Sequence, residues 1–331
     1  MRNVLVLGGT AWLGRKITER LLASGDKVTC LARGESGQPS AEADFVQAER
    51  RAAGAYTAVA SQHWDEVIEL AYEPDLVTGA LDALAGKATH WTLVSSVSVY
   101  ASNSEPNADE TAELLDPVDL EDYGQAKVAA ERTSREALGD RLLIVRPGLI
   151  AGPGDGSDRF SYWVSRFALA ANEPVLTPVT DNRAVQVIDV QDLANWIVRA
   201  GREGITGVIN ATGDQYPLAD VLALAAGVAD FNGRMVSADD EWLRSNDVRY
   251  WAGPRSLPLW LPEVDVPFAQ RDNSAFHAAR GDLSDLRQTM QRILDAEKSE
   301  GLNRVRRSGL SRDEEMLLLD QLSQESNLQN Q

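Results

Sequence analysis

The chain has 331 residues, 44% of them hydrophobic, enough for one large domain or two smaller ones with a substantial core. It sets 50 acidic against 32 basic residues, a formal charge of −18, which argues against a nucleic-acid partner. Cys30 is the lone cysteine, and His63, His90 and His277 lack ligand spacing, so no disulfide framework and no metal site are expected. There is neither a run of eighteen apolar residues nor a signal-peptide pattern at the N-terminus, so the expectation is a cytoplasmic protein without a membrane partner.

The run Arg2-Asn3-Val4-Leu5-Val6-Leu7 predicts a buried strand. Gly8-Gly9-Thr10-Ala11-Trp12-Leu13-Gly14 follows at once, and then a helical pattern through Ile17, Leu21 and Leu22 that ends at Gly25. Strand, glycine turn and helix in that order is the setting in which such a turn binds a dinucleotide. The plainer alternative is a tight turn in an α/β domain without a ligand. In the binding reading Gly8 allows the sharp turn. Gly9 and Ala11 keep the backbone low beneath a pyrophosphate, and Gly14 lets the helix pack close. Amides at the helix start, with Thr10, Trp12 and Leu13 among the loop residues, then face the phosphates.

Lys27 to Ala32 predicts a second strand. A dinucleotide fold places an acid at its end for the adenosine ribose, but here the end is Ala32, followed by Arg33. An arginine suits a 2′-phosphate, so NADP is favoured over NAD, with Arg15 able to assist; a solvated surface arginine is the plain alternative. Residues 34–43 predict a loop and 43–48 a short strand leading to Glu49-Arg50. Residues 51–64 show no clean stripe. Trp64 to Ala71 predicts a strand, and Asp75 to Leu84 a helix with Leu76, Ala80 and Leu84 in register, closed by Gly86.

Thr89 to Val94 predicts the next strand. The hydroxyls of Ser95, Ser96 and Ser98 then fall at its C-terminal end, where α/β sheets place chemistry. The plain alternative is a hydroxyl-rich turn. Residues 101–120 are acidic and loop-like. Tyr123 to Leu138 predicts a helix in which Tyr123 and Lys127, four apart, share a face. A free tyrosine ionises near pH 10, and an adjacent ammonium favours its phenolate, which makes it a usable acid/base near neutrality. An ordinary exposed helix pair has the same spacing.

Arg141 to Val145 predicts a strand, and the Pro- and Gly-rich residues 146–154 a shaped loop. Helices are predicted over 160–171, from Asp189 to Val198 with Asp189 or Asp192 as cap, and over 218–226. Strands are predicted over 184–188, 208–213 and within 231–238. A short helix follows over 239–244, and 251–267 is irregular. A helix begins near Ala275 after Asp272-Asn273-Ser274. Helices over 283–294 and 310–322 close the pattern, and the polar residues 323–331 are expected to be disordered.

The glycine turn, the serine cluster and Tyr-x-x-x-Lys together resemble the extended short-chain dehydrogenase/reductase superfamily, in its NAD-dependent epimerase/dehydratase branch. The likeness runs from residue 1 to about 215. It implies a Rossmann-type parallel sheet with helices on both faces, plus a smaller mixed C-terminal substrate-binding region. The Rossmann core is placed at 1–150 with 180–215 returning to it, and the substrate-binding region at 151–180 and 216–322. The resemblance further implies Tyr123 as acid/base, with Lys127 holding the nicotinamide ribose. Ser96, four residues before Tyr100, is the implied hydroxyl donor to the reacting oxygen. Ser95, Pro147 and Gly148 would adjoin the cofactor, and Gly8, Ala11 and Gly14 match the three small positions of the phosphate loop. Two departures stand out: Ala11 replaces the middle glycine, and the 75–84 helix holds no relay asparagine. Glu49-Arg50 sits where an acid-containing pair frames the adenine.

These implications favour an NADP-dependent reductase or dehydrogenase acting on a small to medium metabolite by hydride transfer. The alternatives are a nucleotide-sugar epimerase or dehydratase that retains its cofactor, and a non-catalytic NADP(H)-binding sensor or interaction protein. A dimer through two long helices is common in the superfamily, and the Asp75 and Tyr123 helices are the candidates for a homodimer here.

Overall fold

The computed structural model describes residues 1–329, with side chains through Glu325. Close contacts divide the chain into two units. The first is Met1–Ile150, Ile188–Asp214 and Arg271–Leu283; the second is Ala151–Val187, Gln215–Gln270 and the chain from Ser284 onward. Residues 271–283, expected in the C-terminal region, thus pack with the first unit.

The first unit is a seven-stranded parallel sheet. Its strands are β1 (Asn3–Leu7), β2 (Lys27–Ala32), β3 (Asp44–Gln47), β4 (Trp64–Glu69), β5 (Ala88–Val94), β6 (Leu142–Pro147) and β7 (Gly207–Ala211), in the order β7-β6-β5-β4-β1-β2-β3. The order reverses at β1, the switch point at which doubly wound sheets open a crevice for ligands. Helices α1 (Trp12–Ala23) and α4 (Val190–Glu203) pack together, as do α2 (Pro74–Leu84) and α3 (Tyr123–Leu138). Strand alternation explains the two layers. Val4 and Val6 of β1 join Ile17, Leu21, Trp196 and Ile197 in one core. Leu5 and Leu7 join Val77, Leu81, Leu84 and Leu138 in the other.

The second unit contains a parallel pair, Val175–Pro178 with Met235–Ala238, and an antiparallel pairing of Gln215–Pro217 with residues 184–186. Around these lie helices Ser161–Ala170, Leu218–Val228 and Leu286–Glu300. Asp189 caps α4 as expected, its carboxylate accepting from the Gln191 amide at 2.8 Å.

Several predicted elements differ from the structure. The 146–154 loop begins later, because Arg146 and Pro147 complete β6 and Leu149–Ala151 is a short strand. The irregular 251–267 segment is part of a two-stranded pairing, Arg249–Trp251 with Ser256–Pro258. The last helix runs Arg312–Gln329 where disorder was expected from Ser323; Asn330 and Gln331 lie outside the described residues. A polar composition does not stop a helix that carries neither Pro nor Gly.

Candidate active site

The glycine turn leaves β1 at Gly8, whose φ of +96° is a conformation only glycine adopts without strain. Its amide donates to the Leu31 carbonyl at 3.0 Å, which pins the turn to β2. Gly14 is held even more tightly. A Cβ there would lie 2.4 Å from the Gly8 carbonyl oxygen and 2.9 Å from Gly9 Cα. Gly9 is small for a different reason than expected: a Cβ on it would lie 2.5 Å from Cys30 Sγ. Helix α1 therefore starts directly on the turn. No side chain caps it at Ala11, and no acid sits in its first turn. The positive end of the α1 dipole thus lies at the turn, so the turn and helix start fit a pyrophosphate.

A cleft of about 280 Å³ opens beside the turn at the ends of β1, β2 and β4, lined among others by Gly8, Thr10, Ala11, Arg33, Glu49 and Tyr72. Trp12, Leu13 and Gly14 lie outside that lining, and Leu13 packs against the core. Arg15 ties the rims together, donating from Nη1 to the carbonyls of Thr10 at 2.7 Å and Ser36 at 2.8 Å. Arg33 is exposed and paired with Glu35 at 3.2 Å and Glu49 at 3.7 Å. Arg50 turns inward instead, giving Nη1 to Glu69 at 2.9 Å and Nε to the Tyr56 hydroxyl at 2.8 Å.

The serine cluster splits between two environments. Ser95 points inward, where its hydroxyl donates to Glu131 Oε1 at 2.6 Å. Glu131 also receives Arg146 through Nε at 2.9 Å and Nη2 at 2.7 Å, and all three side chains are buried. Arg146 Nη1 continues to the Tyr100 hydroxyl at 3.0 Å, and Tyr100 donates to Asn210 Oδ1 at 2.6 Å. Ser95 is therefore part of an internal network. Ser96 is different: its Oγ caps the next turn, accepting from the Ser98 amide at 3.1 Å and lying 3.1 Å from Ser98 Oγ.

Helix α3 begins against that turn. A Cβ on Gly124 would lie 2.4 Å from the Ser98 carbonyl oxygen, so a glycine beside Tyr123 is what lets helix and serine turn meet. Asp122 caps α3 through the Gln125 amide at 2.9 Å. Tyr123, the first helical residue, is 44% exposed, whereas Lys127 one turn later is only 3% exposed. Lys127 Nζ donates to the Val94 carbonyl at 2.6 Å. It lies 5.8 Å from the centroid of the Tyr123 ring and 5.1 Å from that of Tyr72. Burial pulls the Lys127 ammonium from 10.5 down to about 8, against the opposing pull of Glu69, Glu73 and Glu131. Pro147 ends β6 beside Ala211, and a Cβ on Gly148 would lie 3.1 Å from Thr212 Cγ2.

The structure thus gathers Ser96, Tyr123 and Lys127 at adjoining elements, and puts Gly8, Thr10, Ala11 and Arg33 in one cleft. Sequence reasoning missed Tyr72, which sits in the short link between β4 and α2 and carries no periodic signal. It also missed the Glu131–Arg146 pair, for which a signal existed: a charge at the end of the apolar strand 142–145 needs a buried partner.

Residues 4–85 and 76–211 match the NAD dependent epimerase/dehydratase family. A ceramide reductase from Caulobacter vibrioides is 32% identical over 124 residues, 37% of either chain. A chloroplast stem-loop binding protein of 41 kDa from Arabidopsis thaliana is 27% identical over 254 residues, 69% of this chain and 63% of that one. This chain thus covers less than two thirds of the length of either relative. Among solved structures, a UDP-glucuronic acid 4-epimerase from Bacillus cereus in complex with NAD superposes with a TM-score of 0.65. It is 15% identical, over 90% of this chain and 99% of that one, so the likeness is one of fold.

Proposed function

The chain belongs to the NAD dependent epimerase/dehydratase family, and from that premise we propose that it is an NADP-dependent reductase or dehydrogenase interconverting a carbonyl and an alcohol. The observation that carries the cofactor choice is Arg33, which lines the cleft just past the end of β2 where Ala32 leaves no acid for a ribose. Its partners Glu35 and Glu49 are exposed, and such pairs contribute roughly 0–1 kcal/mol. A dianionic 2′-phosphate therefore displaces them at small cost and gains charge-assisted hydrogen bonds.

In this reading the pyrophosphate rests on the Gly8–Gly14 turn and the start of α1, and Pro147 and Gly148 adjoin the nicotinamide. When bound, the nicotinamide supplies or accepts hydride at C4. Ser96 Oγ donates a hydrogen bond to the reacting oxygen, and Tyr123 Oη delivers a proton to the alkoxide, or removes it in the oxidative direction. Lys127 Nζ keeps positive charge beside Tyr123 and offers its remaining N–H groups to ribose hydroxyls. The ceramide reductase relative supports the reductive assignment. The second reading gives the same residues to a nucleotide-sugar epimerase that retains its cofactor, and it is favoured by the fold shared with the Bacillus cereus UDP-glucuronic acid 4-epimerase.

Fluorescence titration with NADPH and NADH tests the proposal. Arg33→Ala is expected to weaken NADPH binding roughly tenfold to a hundredfold and to leave NADH binding unchanged. Equal loss for both, or no NADPH binding by the parent protein, overturns the assignment. Conversion of a nucleotide sugar with no net change at the nicotinamide absorbance band favours the epimerase.

A further inference from the structure

We propose that Tyr72 is a positioning residue for Lys127: its ring gives the buried ammonium a π face that keeps it charged beside Tyr123. The inference rests on the roles assigned above to Tyr123 and Lys127. Tyr72 lies three residues past the end of β4 and two before α2 begins at Pro74, and it lines the cleft. Its ring meets the Tyr123 ring edge to face, with centroids 4.9 Å apart and planes at 76°. Lys127 Nζ, at 5.1 Å from the Tyr72 centroid, is closer to that ring than to Tyr123 at 5.8 Å. Both distances are within the range over which a ring quadrupole attracts a cation.

The groups around Lys127 explain why a ring matters there. The Val94 carbonyl at the end of β5 accepts one of its three N–H groups. Glu69 on β4, Glu73 before α2 and Glu131 on α3 all favour the charged form. Yet Glu69 is bound by Arg50, and Glu131 by Arg146, so neither carboxylate is a dedicated counter-ion. Glu73 Oε2 accepts from the backbone amide of Tyr72 at 3.2 Å. The aromatic face is thus a direct contact that favours the ammonium without placing a second anion beside a developing phenolate. It also acts on Tyr123 itself, since the edge-to-face contact limits where that ring can swing.

The composition makes a direct test practical. The chain has five lysines, at 16, 27, 87, 127 and 298, and Lys127 alone is buried. In the full-length protein labelled with ¹³C at lysine Cε, the five titrations are followed by NMR, with Lys127→Arg assigning the Lys127 signal. Tyr72→Leu, which fills space without a π face, is expected to lower the Lys127 midpoint by about half to one and a half pH units. Tyr72→Phe is expected to leave it in place; the other four lysines serve as internal pH references, and circular dichroism checks that each variant is folded. If Tyr72→Leu does not fold, the unbranched Tyr72→Met is measured instead. A midpoint that stays or rises without the ring, or that moves as far in Tyr72→Phe, overturns the proposal. The measurement needs neither cofactor nor substrate, so its outcome is separate from that of the NADPH titration.

Discussion

Lys127 is charged at a cost, and that cost has a distinctive pH signature. Its ammonium is pulled from 10.5 to about 8 in the folded protein, chiefly by burial. At 1.36 kcal/mol per unit the difference amounts to about 3 kcal/mol. Below pH 8 both folded and unfolded chains hold the proton, and the whole penalty weighs against folding. Between pH 8 and 10.5 the folded chain releases the proton while the unfolded chain keeps it, so this group's contribution to stability rises with pH. Above 10.5 the penalty is gone. The perturbation that isolates it is Lys127→Met, which keeps the stem and removes the titration. Urea unfolding of both proteins is measured from pH 7 to 10.5. With Tyr123→Phe placed in both backgrounds, so that the remaining titrations are shared, the protein with Lys127 is expected to gain about 3 kcal/mol on the variant across that range. Losing the donor to the Val94 carbonyl penalises the variant by roughly 1–3 kcal/mol at every pH, so the slope is diagnostic and the offset is not. A flat difference, or the protein with Lys127 losing ground as pH rises, would refute the reasoning.

Other expectations follow from the same geometry. Tyr123→Phe should lower turnover roughly 10²- to 10⁴-fold with an unchanged NADPH dissociation constant; loss of cofactor binding in its place would argue against an acid/base role. Glu131→Leu strands Arg146 without its bidentate partner and should cost about 3–5 kcal/mol in urea unfolding, most of it recovered in Glu131→Leu/Arg146→Met. A double variant as unstable as the single one would contradict that account. Gly14→Ala drives a methyl into the Gly8 carbonyl and should destabilise the protein by about 1–3 kcal/mol while weakening NADPH binding in the same fluorescence titration. An alanine variant that binds as tightly as wild type would show that the turn can relax.

The β1–α1 unit was legible because each of its constraints is local. The apolar run, the turn glycines and the helical stripe all lie between residues 2 and 22, and the structure adds the contacts with β2, Leu31 at Gly8 and Cys30 at Gly9. Tyr123 and Lys127 were legible for the same reason, since helical spacing fixes their shared face. The serines show where that reach stops. Ser95 and Ser96 are neighbours in sequence, but one faces Glu131 and the other caps a turn, and sequence chemistry alone did not separate them. Arg33 was visible, whereas its partners Glu35 and Glu49 were not, because the second lies sixteen residues away. The strand Val175–Pro178 went unread because four residues between turns carry no period of their own and are fixed by pairing with Met235–Ala238.

The division of the chain into interleaved stretches bears on how it matures during synthesis. Arg271 belongs to the sheet-bearing unit, with its guanidinium 4.4 Å from the Tyr100 ring centroid and its Nη2 donating to the Ser102 carbonyl at 3.0 Å. Asn210 Nδ2 likewise donates to the Asp272 carbonyl at 3.2 Å, and Asn273 to the Gly213 carbonyl at 2.9 Å. All seven strands have been translated by residue 211, yet these clasps arrive only with residues 271–273. In the order of synthesis the strands thus precede the residues that clasp them by about sixty positions. A ribosome-stalled chain that ends before residue 271 lacks those clasps and is expected to be more sensitive to protease in its sheet-bearing unit than the finished protein.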